Sequence, residues 1–339
     1  MSTRDGNGVV MGIDVGGTKT SVLVADRTDT ILGRRVVDTR PGSLNAQLAG
    51  LARDVLDTVS GSRPGIAAVG VAAPGLVDAA TGRVRLAVNL DTDDTPLGAM
   101  LSDAVGVPTF VEHDTRAAAA WLHASGTSGS SNFAFLSVGT GISAGVVLDG
   151  RLHRGATNLA GEIGHVEAER DGAVCACGLR GCLETVASGP AIAAHAAAAG
   201  RSWTTAEVYR AASAGDPLAR SIADTVGGHL GRALRALVLA YGVDRVVIGG
   251  GVSRAGAPFL EPILAHLERE RAASRLVREA VPAGAAQLLP AHVDAGGWGA
   301  ITVARMGLAR TGTDIGTTNH DQPATPAAPV AVGKEGRDQ

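Results

Sequence analysis

A chain of 339 residues, 45% apolar and with 47 glycines, is long enough for two domains and can bury a sizeable core. The 30 Lys and Arg against 33 Asp and Glu leave a net charge of −3, which argues against a nucleic-acid-binding surface, where a basic excess is the rule. With no basic-then-apolar leader and no apolar run of about eighteen residues, the chain reads as a cytoplasmic protein without a membrane partner.

In chain order, residues 1–8 are polar and are expected to be disordered. Val9–Asp14 is a short apolar strand ending on a carboxylate. It runs into Gly16-Gly17-Thr18-Lys19 and then a second strand, Thr20–Asp26, with a third near Ile31–Asp38. The glycines therefore sit in a turn between antiparallel strands, and the spacing is not that of the common phosphate loop. The turn still places backbone N–H groups, a hydroxyl and an ammonium together, a combination that can bind an anion; an ordinary Gly-rich hairpin is the alternative.

Leu44, Leu48, Leu51, Val55 and Val59 recur at helical spacing within Ser43–Ser60. Ile66–Ala72 is a buried strand stopped by Pro74-Gly75, Asn89-Leu90 lies in a polar loop, Leu97–Val105 is a helix and Thr109–Glu112 a strand. Strand, helix and strand in that order suggest a parallel α/β sheet. Asp114 stands where the last strand meets the Ala-rich helix Thr115–Ala124. That position suits either a ligand-facing carboxylate at a strand's C-terminal end or a helix cap.

The second half opens like the first. Val15–Asp26 (VGGTKTSVLVAD) and Val138–Asp149 (VGTGISAGVVLD) both read strand, Gly/Thr turn, strand, terminal Asp, a weak internal repeat that suggests two related domains facing one cleft. Gly139-x-Gly141-x-x-Ala144 looks superficially like a dinucleotide fingerprint, but a strand and not a helix follows it, which rejects a Rossmann dehydrogenase. Helices are expected at Ala187–Ala199, Thr204–Ser213, Pro217–Tyr241 and Phe259–Ala272. Strand Val243–Ile248 ends on Gly249-Gly250-Gly251, a further place where a ligand can approach backbone closely. A strand near Gln287–Pro290 and a last helix, Gly296–Ala309, precede a Thr/Pro/Ala-rich tail from 311 to 339 that is expected to be disordered.

Between the repeat and the helices lies Gly161–Glu184, which holds all three cysteines: Cys175, Cys177 and Cys182, with His165 ten positions ahead. Three thiolates and an imidazole can close a tetrahedral zinc site, and Gly178 and Gly181 would let the backbone wrap a small ion. An odd cysteine number argues against a disulfide framework. Three buried, unligated thiols are the alternative.

In this order Asp14-x-Gly16-Gly17-Thr18-Lys19, Gly139-Thr140-Gly141, Gly161-Glu162-x-Gly164-His165, Cys175-x-Cys177-Gly178-x-x-Gly181-Cys182-x-Glu184 and Gly249-Gly250-Gly251 resemble the ROK family of bacterial sugar kinases and regulators over roughly residues 9–309. The resemblance implies an α/β fold of two actin-like (ribonuclease-H-like) domains with a cleft between them for sugar and ATP. The domains would be 9–120, completed by a C-terminal helix near 296–310, and 121–295, carrying the zinc-binding loop 161–184. By the same resemblance Asp14, Gly16, Gly17, Thr18 and Lys19 match one phosphate loop and Gly139, Thr140 and Gly141 another, with Gly249, Gly250 and Gly251 near the adenosine. Asp114 matches the catalytic base; Asn89, His113, Glu162, His165 and Glu184 match sugar ligands; His165, Cys175, Cys177 and Cys182 match a structural zinc site.

The implied activity is transfer of the γ-phosphate of ATP, with Mg²⁺, to a primary C6-type hydroxyl of a hexose, as in glucokinase. The implied assembly is a homodimer or homotetramer. His113-Asp114-Thr115-Arg116 stands where the family has Asn-Asp-x-Asn, and Asp91-Thr92 where an aromatic follows Asn-Leu. Those departures open the pocket to a modified hexose, such as an amino sugar or N-acetylhexosamine, or to a cyclitol. A sugar-sensing regulator is disfavoured, because the first strand begins near Val9 and leaves no room for a helix-turn-helix. A non-catalytic sugar-binding protein is disfavoured by Asp114 and Lys19.

Overall fold

The computed structural model describes residues 8–40, 42–59, 65–87 and 90–312. Both expected disordered ends lie outside the described residues, apart from residues 8, 311 and 312, and so does Asn89.

The first half runs β1 (Val10–Val15), β2 (Lys19–Ala25), β3 (Ile31–Asp38), α1 (Leu44–Val59), β4 (Ala68–Ala73), β5 (Leu76–Asp78), β6 (Arg83–Ala87), β7 (Thr92–Thr95), α2 (Leu97–Val105), β8 (Thr109–His113) and α3 (Asp114–Ala124). The second half runs β9 (Phe133–Val138), β10 (Ile142–Leu148), β11 (Arg151–His153), α4 (Glu184–Ala187), α5 (Gly189–Ala198), α6 (Thr205–Ser213), α7 (Pro217–Tyr241), β12 (Arg245–Gly249), α8 (Ala257–Ala273), α9 (Arg275–Ala280), β13 (Ala286–Leu288) and α10 (Ala295–Arg310).

Two five-stranded sheets have the same plan, β3-β2-β1-β4-β8 and β11-β10-β9-β12-β13. In each, an antiparallel hairpin extended by a third strand is followed by two parallel strands on the other side of the first. The repeat legible between Val15–Asp26 and Val138–Asp149 is thus the hairpin turn and second strand of each sheet. Among the described residues no helix is long and apolar enough to cross a membrane.

β1 is apolar almost throughout because both its faces are covered. Met11, Ile13 and Val15 join Leu44, Leu48 and Leu51 of α1 on one side, while Val10 meets Ile301, Ala304 and Leu308 of α10 on the other. α10 lies so close to the sheet that a Cβ on Gly70 of β4 would sit 2.0 Å from the Ala300 carbonyl oxygen. α3, which leaves the first sheet, covers the second: Ala118, Ala119 and Leu122 cluster with Phe133, Phe135 and Val147. The two helices also touch, since a Cβ on Gly299 would approach the Ala117 carbonyl carbon to 2.7 Å. Each sheet is therefore backed by the helix that follows the other, and the boundary expected near residue 120 falls inside α3.

Several elements differ from expectation for local reasons. The helix expected over Ala187–Ala199 is broken at Ser188, whose hydroxyl accepts from the Ala191 N–H at 3.3 Å, with Pro190 in the first turn of α5. β5, β7 and β11 are only three or four residues long and carry no apolar period that would announce them. α9 begins at a Ser274 cap that accepts from the Val277 N–H.

Candidate active site

In both sheets the polar and glycine-rich segments follow the C-terminal ends of strands, the side on which open α/β sheets hold ligands. In the first sheet these are Asp14 and the turn after β1, and His113-Asp114 after β8. In the second they are Gly139–Gly141 after β9 and Gly249–Gly251 after β12.

His113 is the N-cap residue of α3 and Asp114 its first helical residue, so the capping alternative does not describe Asp114. Its Oδ1 accepts from the Thr115 N–H at 2.6 Å and the Thr115 hydroxyl at 3.1 Å, and lies 3.2 Å from His113 Nδ1. Oδ2 has no hydrogen-bond partner among the described residues. The other side of the His113 ring, Nε2, stands 3.8 Å from Oε1 of Glu162. Glu162 reaches this point because its loop hugs β10: Gly161 has φ +100°, and a Cβ there would lie 1.8 Å from the Ala144 carbonyl oxygen. Three expected residues, His113, Asp114 and Glu162, are thereby joined in one line across the two halves.

Beneath that line is a buried ion cluster that the pattern of residues alone did not announce. Glu112 is 2% exposed and Arg116 1% exposed. The Arg116 Nε–H donates to Glu112 Oε1 at 2.8 Å and the Arg154 Nε–H donates to Oε2 at 2.7 Å, while the His113 backbone N–H donates to Oε1 at 2.9 Å. Burial by itself would raise the Glu112 carboxyl, but Arg154, Arg116 and that N–H hold it below its ordinary range. Arg116 donates further to the carbonyls of Asn158 and Val77, and the Asn158 amide donates to Asp78 at 3.2 Å. The cluster ties β8, β5 and the loop after β11 together next to His113 and Asp114.

Asp14 carries a carboxyl raised to about 7, first by burial and then by the charges of Asp114 and Asp294. After it, the Gly16 N–H is spent inside the turn on the Lys19 carbonyl at 2.9 Å, so Gly17, Thr18 and Lys19 form the exposed part. The second turn is closed by the Gly139 N–H donating to the Gly141 carbonyl at 2.9 Å. Glu184 is attached here: its Oε2 accepts from the Ile142 N–H at 2.8 Å, which ties the cysteine loop to this turn and leaves one carboxylate oxygen free of that bond. The third turn adjoins the second, since a Cβ on Gly139 would lie 3.8 Å from the Gly251 nitrogen.

Between these two turns and α5–α6 lies a cavity of about 690 Å³ lined by Gly139, Thr140, Thr205, Tyr209, Gly251 and Arg254, among others. Gly139, Thr140 and Gly251 were expected near nucleotide; Thr205, Tyr209 and Arg254 were not, because they come from separate elements and share no sequence motif.

His165, Cys175, Cys177 and Cys182 converge, with their donor atoms all within 4.8 Å of one another. His165 Nδ1 is 3.6 Å from Cys175 Sγ, and Cys177 Sγ is 3.6 Å from Cys182 Sγ. Donors about 2.0–2.3 Å from a tetrahedral zinc lie about 3.5–3.8 Å apart, so both spacings fit that ion. Nδ1 is the nitrogen turned to the thiols, which leaves Nε2 for another partner. Burial pushes the Cys182 thiol up to about 12, whereas backbone N–H groups, led by that of Leu179, lower Cys177.

The sequence profile of the ROK family matches residues 10–305. The chain is 34% identical over 281 residues to a glucokinase of Halalkalibacterium halodurans, covering 76% of this chain and 84% of that one. It is 31% identical over 314 residues to a glucokinase of Thermotoga maritima, covering 84% and 98%. Among solved structures it resembles a ROK family glucokinase from Streptomyces griseus in complex with glucose and AMPPNP, with TM-score 0.74, 29% identity and coverage of 88% and 100%.

Proposed function

The chain belongs to the ROK family, and from that premise we propose that it is an ATP-dependent, glucokinase-like sugar kinase acting on a primary hydroxyl of a hexose. The observation that carries the reading is Asp114: a carboxylate held on one oxygen by the N–H and hydroxyl of Thr115, with the other free of hydrogen bonds among the described residues, beside His113 and Asp14.

A sugar hydroxyl is a poor nucleophile at neutral pH. Asp114 would take its proton as the oxygen attacks the γ-phosphorus, and Thr115 keeps the carboxylate from rotating away. Glu162, His165, Glu184 and His113 would hold the ring, with Asn89 as a further ligand from outside the described residues. The cavity beside Gly139–Gly141 and Gly249–Gly251 has the volume and lining to take adenosine, and Gly17, Thr18 and Lys19 would meet phosphate from the other half. Asp14, whose ionisation burial and neighbouring carboxylates oppose, fits a Mg²⁺ that would relieve those charges and neutralise phosphate oxygens during transfer. His165, Cys175, Cys177 and Cys182 would hold a zinc with four protein ligands and no open position, a structural ion that sets the shape of the loop. The functional division would be 9–120 with α10, and 121–295 with the cysteine loop.

His113, in place of an amide, favours a second acceptor class, a hexose altered on the ring. Release of ADP, measured against glucose, mannose, fructose, N-acetylhexosamines, amino-glucoses and cyclitols, tests both. Hexose-dependent ADP release is expected with glucose; no acceptor raising ADP release above background would end the kinase reading.

A further inference from the structure

We propose that Arg154 is a positioning residue for the acceptor hexose: through Glu112 it sets Glu162 against His113 across the pocket. The proposal rests on the kinase reading above and adds to it what fixes the width of the hexose site.

Glu162 does not aim itself. Its carboxylate makes no hydrogen bond among the described residues, and its nearest charged neighbour, His113 Nε2, is 3.8 Å away. Its backbone must therefore place it, and that backbone is held from two sides. From the second half, the Ala144 N–H of β10 donates to the Gly161 carbonyl at 2.7 Å. From the first half, the loop just before it is pinned by side chains. The Arg154 Nε–H donates to Glu112 Oε2 at 2.7 Å, Arg116 donates to the Asn158 carbonyl at 2.5 Å, and the Asn158 amide donates to Asp78 Oδ1 at 3.2 Å. The loop is also closed on itself, because the Ala160 N–H donates to the Arg154 carbonyl at 3.2 Å. A shift at Arg154 thus reaches Ala160, two residues before Glu162.

One carboxylate is the reference for both walls of the pocket. Glu112 Oε1 takes the His113 backbone N–H at 2.9 Å, and Oε2 takes Arg154. His113 and Glu162 are therefore both located from the two oxygens of one buried side chain. A guanidinium suits the task because its planar fork fixes direction as well as distance, which the point charge of lysine does not. Arg154 is also the member of the cluster that is most readily replaced. Its side chain is 24% exposed, against 1% for Arg116 and 3% for Glu112. Without it, Glu112 keeps Arg116 and the His113 N–H.

Steady-state kinetics on the full-length protein, with glucose and MgATP varied in turn, separate positioning from a plain tie between the halves. Arg154→Met should raise the glucose KM by about tenfold or more, with kcat within about threefold and the MgATP KM unchanged, because a displaced Glu162 loses hexose contacts while the base and the nucleotide turns stay in place. Arg154→Lys should recover part of the loss. In a Glu162→Ala background Arg154→Met should add little, since both changes remove the same contact. If Arg154→Met does not fold, Asn158→Gly, which keeps the left-handed backbone at φ +59° and the carbonyl but deletes the Asp78 bond, should raise the glucose KM by about two- to fivefold. An unchanged glucose KM in the folded variant, equal rises in the glucose and MgATP KM, or full additivity with Glu162→Ala overturns the proposal while leaving the kinase intact. Absence of any hexose-dependent ADP release in the wild type overturns the kinase reading instead.

Discussion

The two sheets share one strand plan but surround it with different material. In the first, one helix separates the hairpin extension from the next parallel strand, and a small sheet plus α2 separates β4 from β8. In the second, the interval between β11 and β12 holds the cysteine loop and four helices. The frame is repeated because a hairpin flanked by parallel strands buries both faces of its first strand; what is inserted determines what each half presents to the cleft. The first half presents carboxylates, Asp14 and Asp114. The second presents glycine turns, a cavity and a metal-shaped loop whose Glu162 reaches across to His113.

The contrast breaks most sharply at Asp114. Asp114→Asn keeps the shape but removes the carboxylate proposed as the base, and kcat should fall by roughly 10² to 10⁴ with glucose affinity nearly unchanged, measured by coupled ADP release and by calorimetry. Wild-type turnover in the variant would remove the division of labour between the halves.

On the other side, Cys177→Ala should bring bound zinc from about one ion per chain to none by elemental analysis, and should raise glucose KM by about tenfold or more through the loop that carries Glu162 and His165. Wild-type protein without zinc would refute the ligand assignment.

The seam between the halves comes next. Arg116→Leu removes one of two cations from buried Glu112 and the donor to the Asn158 and Val77 carbonyls. Denaturant unfolding should show a loss of about 3 to 5 kcal/mol, and adding Glu112→Gln should recover part of it. An unchanged midpoint would mean that the seam is held by α3 and α10 packing alone.

The smallest effect concerns Asp14. Its carboxyl stands at about 7 in the folded protein against 3.8 unperturbed, so the native state holds the proton more tightly than the unfolded chain. Stability therefore declines as pH rises from about 4 to about 7 and stays lower above that range, by at most about 4 kcal/mol. Asp14→Asn should flatten this decline, and Mg²⁺ should blunt it in the wild type; urea midpoints at pH 5 and 8 are the measurement. Parallel pH profiles for both proteins would show that Asp14 does not carry the effect.

Much of this was legible beforehand because it is local. Hydrophobic runs at β1, β4, β9 and β12 sit where their periods place them, and the glycine turns and cysteine spacing are short-range chemistry. The small sheet β5-β7 was not, because strands such as Thr92–Thr95 pair through backbone with no apolar face to mark them. Nor was the break at Ser188, where a cap and a proline override a continuous helical composition.

The order of motifs and the donor types at Cys175, Cys177, Cys182 and His165 were determined by sequence alone, since ligand chemistry depends on residue identity and short loop closure. Only the tertiary structure decided that His113 lies between Asp114 and Glu162, that Arg116 and Arg154 share Glu112, and that α3 and α10 cross to back each other's sheets. Two of those pairings, His113 with Glu162 and Arg154 with Glu112, join residues more than forty positions apart. They exist because burial leaves charges and polar atoms no solvent to turn to, so partners must come from whichever segment packing brings near.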